Sequence, residues 1–265
     1  MNIAKPLISV DFDADLVGVA LAEIAEEAGR LILPLWRSDL DVRTKTDNSP
    51  VTIADQQAET FILAQLAERF PGIPVIAEED ASESGTPDKI AARFFLVDPL
   101  DGTKAFVRGD PNFTVNIGLV ENGSPVAGAV VAPPTGEVWY TSSAGALKRE
   151  PGRETRRIFP RSWVAETSVA LISHTMKPEA LVELRTQYGF AETLAMDSSI
   201  KLCRIAEGAA DIYPRHGPTM EWDIAAAHAV LLAAGGRLTT TEGLPFVYGK
   251  ARESFRNGWF VARGG

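Results

Sequence analysis

The stretch FFLVDPLDGTKAFVRG, residues 94–109, sets two aspartates where an apolar strand has just ended. Phe94 to Val97 read as a buried strand, and Asp98, Asp101, Gly102, Thr103 and Lys104 follow almost at once. Two ionised carboxylates about 4–5 Å apart repel by roughly 3–4 kcal/mol at an effective dielectric near 20. Either the two side chains diverge into water or something positive offsets them.

Each residue of DPLDGT has a physical task if the offset is a bound cation. Asp98 ends the strand, Pro99 fixes the turn, Leu100 offers its carbonyl, and Asp101 returns a second carboxylate. Gly102 lets backbone approach a ligand closely, and the N–H groups from Gly102 onward form an anion cradle if they open a helix.

Other acids share this context. Glu78 and Glu79 close the short strand IPVIAEED, and Asp223 stands at the head of WDIAAAHAVLLAAGG. Taken singly, an Asp-Pro-x-Asp-Gly is a turn, a Glu-Glu pair a solvated strand end, and an Asp before an apolar helix an N-terminal cap. Together they form a hard-oxygen donor set of the kind Mg²⁺ takes, in a chain poor in soft ligands. Their joint occurrence favours a metal as the offsetting charge.

The rest of the chain limits the alternatives. With 265 residues, 45% of them hydrophobic, a sizeable core is expected and disorder is not. A net charge of −9 argues against a general nucleic-acid binder. Cys203 is the only cysteine, so no disulfide framework or cysteine-based zinc site is expected, and a reducing, cytoplasmic setting fits. The N-terminus does not read as a signal peptide, and no stretch approaches the ~20 uninterrupted apolar residues of a membrane span.

Periodicity predicts an amphipathic helix from Asp13 to about Leu35, with Leu16, Val19, Ala20, Ile24, Ala28 and Leu31 as its apolar stripe. A polar, turn-rich stretch leads to a second helix whose start carries Asp55 and which closes at Pro71–Gly72. Strands with hairpin signals follow at 112–122, 125–133 and 136–142. The Arg- and Pro-rich segment 147–161 reads as a solvated connection, dividing an N-terminal α+β subdomain (1–146) from a C-terminal α/β subdomain (147–265). Beyond it strands and helices alternate: 168–174, a helix from Pro178, 191–195, a helix over 198–208, 210–214, a helix over 222–234, and 235–240. Cys203 and His228 read as structural, and Trp139, Trp163 and Trp259 as packing residues.

The acidic pair, DPLDGT and WDIAA together resemble the magnesium-dependent, lithium-sensitive inositol monophosphatase superfamily, over roughly residues 45–240. DNSPVTIAD, DPLDGTK and SSIKLCRIAEGAADIYPRHGPTMEWD look most like its 3'(2'),5'-bisphosphate nucleotidase (CysQ-type) branch. The resemblance implies an α/β fold, the layered α/β/α/β/α sandwich of the inositol monophosphatase and fructose bisphosphatase type. It implies two or three Mg²⁺ ions per active site, held by Glu78, Asp98, the Leu100 carbonyl, Asp101 and Asp223. Asp55 would pair with Thr103 to orient and deprotonate the attacking water. Gly102, Thr103, Lys104, His174, Ser198, Lys201, Arg215 and Asp223 would contact the substrate.

Two departures from the family pattern are Ala77, in place of a common glycine, and Ala105, in place of a common glutamate. The implied activity is hydrolysis of 3'-phosphoadenosine 5'-phosphate to AMP within sulfur assimilation, by a cytoplasmic or inner-membrane-peripheral monomer or homodimer. The competing readings are an inositol-monophosphatase-like hydrolase of another small phosphate monoester and a catalytically silent nucleotide-binding protein.

Overall fold

The computed structural model describes residues 14–38, 42–44, 50–174 and 176–265. Helix α1 (Ala14–Ile32) is followed by the short antiparallel pair β1 (Arg43–Thr44) and β2 (Pro50–Val51), then by helix α2 (Ile53–Arg69). Residues 1–13 and much of the expected turn-rich stretch before α2 lie outside the described residues. Next come β3 (Val75–Ala77), α3 (Glu78–Ser84), β4 (Arg93–Asp101) and α4 (Thr103–Val107). The strands β5 (Thr114–Glu121), β6 (Ser124–Ala132), β7 (Glu137–Ser142), β8 (Gly145–Arg149) and β9 (Arg156–Arg157) complete one sheet. Then follow β10 (Val169–Ile172), α5 (Pro178–Tyr188), β11 (Glu192–Ala195), α6 (Ile200–Ala206) and β12 (Ile212–Arg215). Helix α7 (Glu221–Ala234), β13 (Arg237–Thr240) and β14 (Phe260–Arg263) end the described chain.

Strands β3 to β9 lie in sequence order in a seven-stranded sheet, antiparallel except for the β3–β4 pair. A five-stranded mixed sheet has the order β11-β10-β12-β14-β13. On one face of the larger sheet α1 and α2 bury Leu21, Ile24, Ala28 and Ile62 against Phe95, Val97 and Ile117. Its other face packs on α6 and α7, which also cover Leu171, Tyr213 and Phe260 of the smaller sheet. Leu184 of α5 and nearby Phe190 close the far side against Ala170, Ile212 and Val261. The expected α/β/α/β/α layering is therefore present, and the central helices share a core with both sheets.

Close approach explains the alanine run of α7. A Cβ at Gly118 of β5 would come within 2.8 Å of the Ala226 nitrogen, so a residue without a side chain faces Ala225 and Ala226. The same logic corrects the expected stripe of α1. Gly18 meets the Thr141 carbonyl so closely that any Cβ would collide with it. That contact turns Val17, Leu21, Ile24, Ala25, Ala28 and Ile32 inward and leaves Leu16, Val19 and Leu31 exposed.

Other differences arise where charges sit inside regular structure. Glu78 and Glu79 do not end a strand in solvent; they open α3, where acids complement the helix dipole. The segment expected as a solvated loop contributes β8 and β9 to the larger sheet. Lys148 breaks the apolar alternation of β8 and is nonetheless buried, its Nζ 2.6 Å from Glu137 and 2.7 Å from Glu207. Trp163 and Trp259 are substantially exposed, and Trp259 stacks on His216 at 4.8 Å between ring centroids. No described helix is long and apolar enough to cross a membrane.

Candidate active site

Strand β4 does not stop at Asp98. It continues to Asp101 through an irregularity in which Asp98 pairs with Asn116 and Asp101 with Thr114 of β5. Three steps on one strand thus oppose two on the other, and the extra residue carries Asp101 back to the face that holds Asp98. Phe94 and Leu96 on that face pack in the core with α6 and α7, whereas Phe95, Val97 and Leu100 join the core under α1 and α2.

On this face Glu78, Asp98 and Asp223 bring one carboxylate oxygen each within 4.8 Å of the others. Glu78 is the first residue of α3, and Asp223 occupies the third position of α7, where its Oδ2 accepts the Met220 N–H at 2.8 Å. Asp223 thus stands inside the first turn and reaches back to Met220, rather than preceding the helix as the cap expected from sequence, and it is also a member of the cluster. Asp98 accepts the Leu100 N–H at 3.0 Å. Burial, followed by the charges of Asp101 and Glu78, pushes the Asp223 carboxyl well above the usual range. Crowded carboxylates with an all-oxygen donor set suit a hard divalent cation, so these residues fit such an ion.

Asp101 stands beside this trio with partners of its own. Its Oδ2 accepts a short hydrogen bond from the Ser199 N–H, and Lys201 lies near enough to lower its pKa. Burial dominates and lifts the carboxyl to about 6. Lys201 is itself buried, which pulls its ammonium down to about 8 against the opposing pull of Asp101. Its Nζ donates to Ser198 O at 2.6 Å and Met196 O at 3.2 Å. Two of its three protons are thus committed to the turn before α6. The charge offsetting Asp101 comes at least partly from the protein.

Asp55 reaches the site from the third position of α2. Its Oδ2 accepts from the Thr52 N–H at 2.8 Å and the Thr52 hydroxyl at 2.7 Å, closing a capping box. Its Oδ1 is 3.2 Å from the Thr103 hydroxyl, which is also 3.2 Å from the Leu100 carbonyl. Gly102 takes φ 97°, and a Cβ there would come within 2.8 Å of the Asn112 carbonyl. That left-handed residue ends the strand and starts α4, whose first N–H groups have no acceptor within the helix.

The remaining expected contacts fall on several other segments. Arg215 ends β12, gives one N–H to Pro218 O at 3.0 Å and has a buried Nε without a hydrogen-bond partner among the described residues. It is close enough to lower the pKa of both Asp101 and Asp223. Ser198 adopts a left-handed conformation, φ 58°, and its carbonyl receives Lys201. His174 is exposed, with Nδ1 3.4 Å from Asp197, which also pairs with Arg108. Lys104 is exposed one residue beyond Thr103. His228 lies apart, hydrogen-bonded through Nδ1 to the Tyr248 hydroxyl at 2.9 Å, and burial depresses its pKa to about 3.

The sequence profile of the inositol monophosphatase family matches residues 13–262. The chain belongs to the inositol monophosphatase family. It is 40% identical to the 3'(2'),5'-bisphosphate nucleotidase CysQ of Escherichia coli O6:H1 over 242 residues, covering 91% of this chain and 96% of that one. It is 33% identical over 240 residues to the histidinol-phosphatase of Mycobacterium tuberculosis, covering 88% of this chain and 90% of that protein. The crystal structure of CysQ from Bacteroides thetaiotaomicron, a bacterial member of the same family, aligns with a TM-score of 0.75 at 34% identity, over 93% of this chain and 96% of that one.

In this inositol monophosphatase family member the site includes residues that sequence reasoning missed. Ser199 links Asp101 to Thr114 and Asn116, with its hydroxyl 2.9 Å from Thr114 Oγ1 and 2.7 Å from Asn116 Oδ1. Thr114 and Asn116 alternate with apolar residues in β5, and two polar residues at inward positions were the available signal. Glu59, one turn after Asp55, is also buried, and its carboxylate accepts the N–H groups of Glu79 and Asp80.

Proposed function

We propose that the chain is a Mg²⁺-dependent 3'(2'),5'-bisphosphate nucleotidase that hydrolyses 3'-phosphoadenosine 5'-phosphate to AMP and phosphate. The observation that carries this reading is the convergence of Glu78, Asp98 and Asp223 within 4.8 Å. The similarity to the CysQ enzymes supports the substrate class.

In this reading Glu78, Asp98, the Leu100 carbonyl, Asp101 and Asp223 hold two or three Mg²⁺ ions. When bound, the ions neutralise charge on the transferring phosphoryl group and ease the formation of the nucleophile and the departure of the alkoxide. The protein's own contribution begins at Asp55. Thr52 fixes one of its oxygens, and the other accepts from Thr103, which leaves a lone pair of the Thr103 hydroxyl to accept from the attacking water. As water oxygen bonds to phosphorus and the P–O3' bond breaks, the water proton passes to Thr103 while the Thr103 proton passes to Asp55; the departing O3' takes a proton from solvent water to become the 3'-hydroxyl of AMP, and Asp55 returns its proton to solvent. No covalent nucleophile is needed.

Arg215, whose Nε has no hydrogen-bond partner among the described residues and which lies near Asp101 and Asp223, is assigned to the second phosphate of the nucleotide. Lys104 and His174 are assigned to the rim, and the Gly102–Thr103 N–H groups to the reacting phosphate. Ser198 and Lys201 support the substrate through the turn they build and through the remaining Lys201 proton. The buried free thiol of Cys203 fits a reducing, cytoplasmic setting.

The similarity to a histidinol-phosphatase favours a second reading, hydrolysis of a phosphate monoester without a second phosphate. Phosphate release from 3'-phosphoadenosine 5'-phosphate, inositol monophosphate and histidinol phosphate, each with and without Mg²⁺, separates the two. Mg²⁺-dependent turnover of the bisphosphonucleotide at the highest kcat/KM is expected. Preference for either monoester moves the second reading ahead, and no Mg²⁺-dependent turnover of any of them rejects both.

A further inference from the structure

Helix α3 begins at Glu78, and the residue before it, Ala77, has no side-chain acceptor for the first-turn N–H groups. Such donors are ordinarily satisfied by a Ser, Thr, Asp or Asn at that position. Here the acceptor comes from another helix. Glu59 of α2 takes the Glu79 N–H on Oε2 and the Asp80 N–H on Oε1, both at 2.8 Å, and it is buried while doing so. These are the second and third N–H groups of α3, the pair that a local cap would bind.

The Glu79 nitrogen belongs to the same peptide plane as the Glu78 carbonyl and Cα. A carboxylate fixed on that nitrogen therefore fixes the backbone from which the Glu78 side chain reaches Asp98 and Asp223. Glu59 lies one turn beyond Asp55 on one rigid helix, so α2 delivers Asp55 to Thr103 and Glu59 to the base of Glu78. A surface carboxylate would serve neither purpose, because solvent would compete for both N–H groups.

We infer that Glu59 is a positioning residue of the metal centre: it caps α3 from outside and so sets the Glu78 carboxylate for cation binding. This inference rests on the proposed Mg²⁺ dependence. Outer hydrogen-bond partners of metal ligands are worth about 10–100-fold in metal affinity, and Glu59, acting through backbone, belongs near the lower end.

The test uses the full chain with Glu59→Gln and Glu59→Ala. Glutamine keeps the shape but turns an amide NH₂ towards a backbone donor, and alanine removes both acceptors. Two readouts are compared: the Mg²⁺ concentration for half-maximal activity, and the Mg²⁺ concentration that raises Tm half-way in the absence of substrate. Both midpoints are expected to rise about tenfold in both variants, with substrate KM at saturating Mg²⁺ unchanged. If only one variant folds, its two midpoints decide. A variant with lowered Tm but wild-type Mg²⁺ midpoints reduces Glu59 to a stabilising residue and overturns the inference alone. Wild-type protein that responds to Mg²⁺ in neither readout overturns the inference together with the proposed function.

Discussion

Asp98 and Asp101, three residues apart, lie on the same face of β4 because the strand gains one residue on β5 between them. In a regular strand an odd separation would put them on opposite faces. The irregularity gives the layer between the sheets one buried and one half-buried acid, and each meets a different environment: Asp98 joins Glu78 and Asp223, and Asp101 joins Ser199 and Lys201.

The metal assignment is checked by Asp98→Asn. One ligand charge disappears at nearly constant volume, and the asparagine Oδ1 can still accept the Leu100 N–H. Turnover at physiological Mg²⁺ is expected to fall by at least about 10²-fold, while Tm in EDTA stays level or rises because crowding of charge is relieved. Wild-type turnover with an unchanged Mg²⁺ titration removes Asp98 from the site.

Asp101 predicts a pH dependence for the metal-free protein. Burial first, against the pull of Lys201, lifts its carboxyl from 3.8 to about 6. A carboxyl with a higher pKa folded than unfolded favours folding while protonated, so its contribution is full below about pH 4 and is lost as pH rises to about 6. At about 1.4 kcal/mol per unit the span is at most about 3 kcal/mol. In EDTA, the stability of wild type relative to Asp101→Asn should therefore decline between pH 4 and 6 and level off above. A pH-independent difference between the two proteins contradicts the shift.

Asp55→Asn separates proton transfer from metal binding. The loss of a general base is expected to lower turnover by about 10²–10⁴-fold, with the Mg²⁺ midpoint and substrate affinity near wild type. Normal turnover with weakened affinity reassigns Asp55 to binding.

The proposed assignment makes substrate choice depend on Arg215 more than on Lys201. A charge-assisted hydrogen bond to the second phosphate is worth about 1.5–3 kcal/mol, or roughly 10–150-fold, so Arg215→Ala should lose that factor in kcat/KM on the bisphosphonucleotide and little on inositol monophosphate. Lys201→Ala removes a buried cation beside Asp101 and two donors to the turn before α6, and should depress both substrates together. A selective loss in Lys201→Ala assigns its remaining proton to the second phosphate rather than to a contact shared by both substrates.

Stability away from the site depends on Lys148, buried between Glu137 and Glu207, with Arg204 as the second cation of the group. Lys148→Ala leaves buried carboxylates short of a partner and is expected to cost about 3 kcal/mol in denaturant unfolding, the lower end of the range for a broken buried pair because Arg204 remains. A loss below about 0.5 kcal/mol means that solvent already screens the group.

Much of this molecule was legible locally. Apolar periodicity placed α2, the β5–β7 meander and the alternating second half, because a helix or strand shows its buried face within a few residues. Glu78 and Asp223 stood out locally because each falls in the first turn of a helix, and Asp98 because it opens DPLDGT, although β4 runs on past it; Asp55 and Thr103 were singled out through the family resemblance. The inward turn of α1 was not legible, since the collision that sets it joins Gly18 to Thr141 of another strand.

What the sequence by itself determined is which residues are candidates for the chemistry; which partners surround them was decided only by the tertiary structure. Glu59 caps a helix 20 residues away, Asp101 is held by Ser199 across 98, and Lys201 is buried against the loop it supports. Sequence patterns report neighbours one turn or one pleat apart. A buried charge instead takes its pKa and its orientation from whatever packing brings within a few ångströms, and the layers choose those neighbours without regard to their separation along the chain.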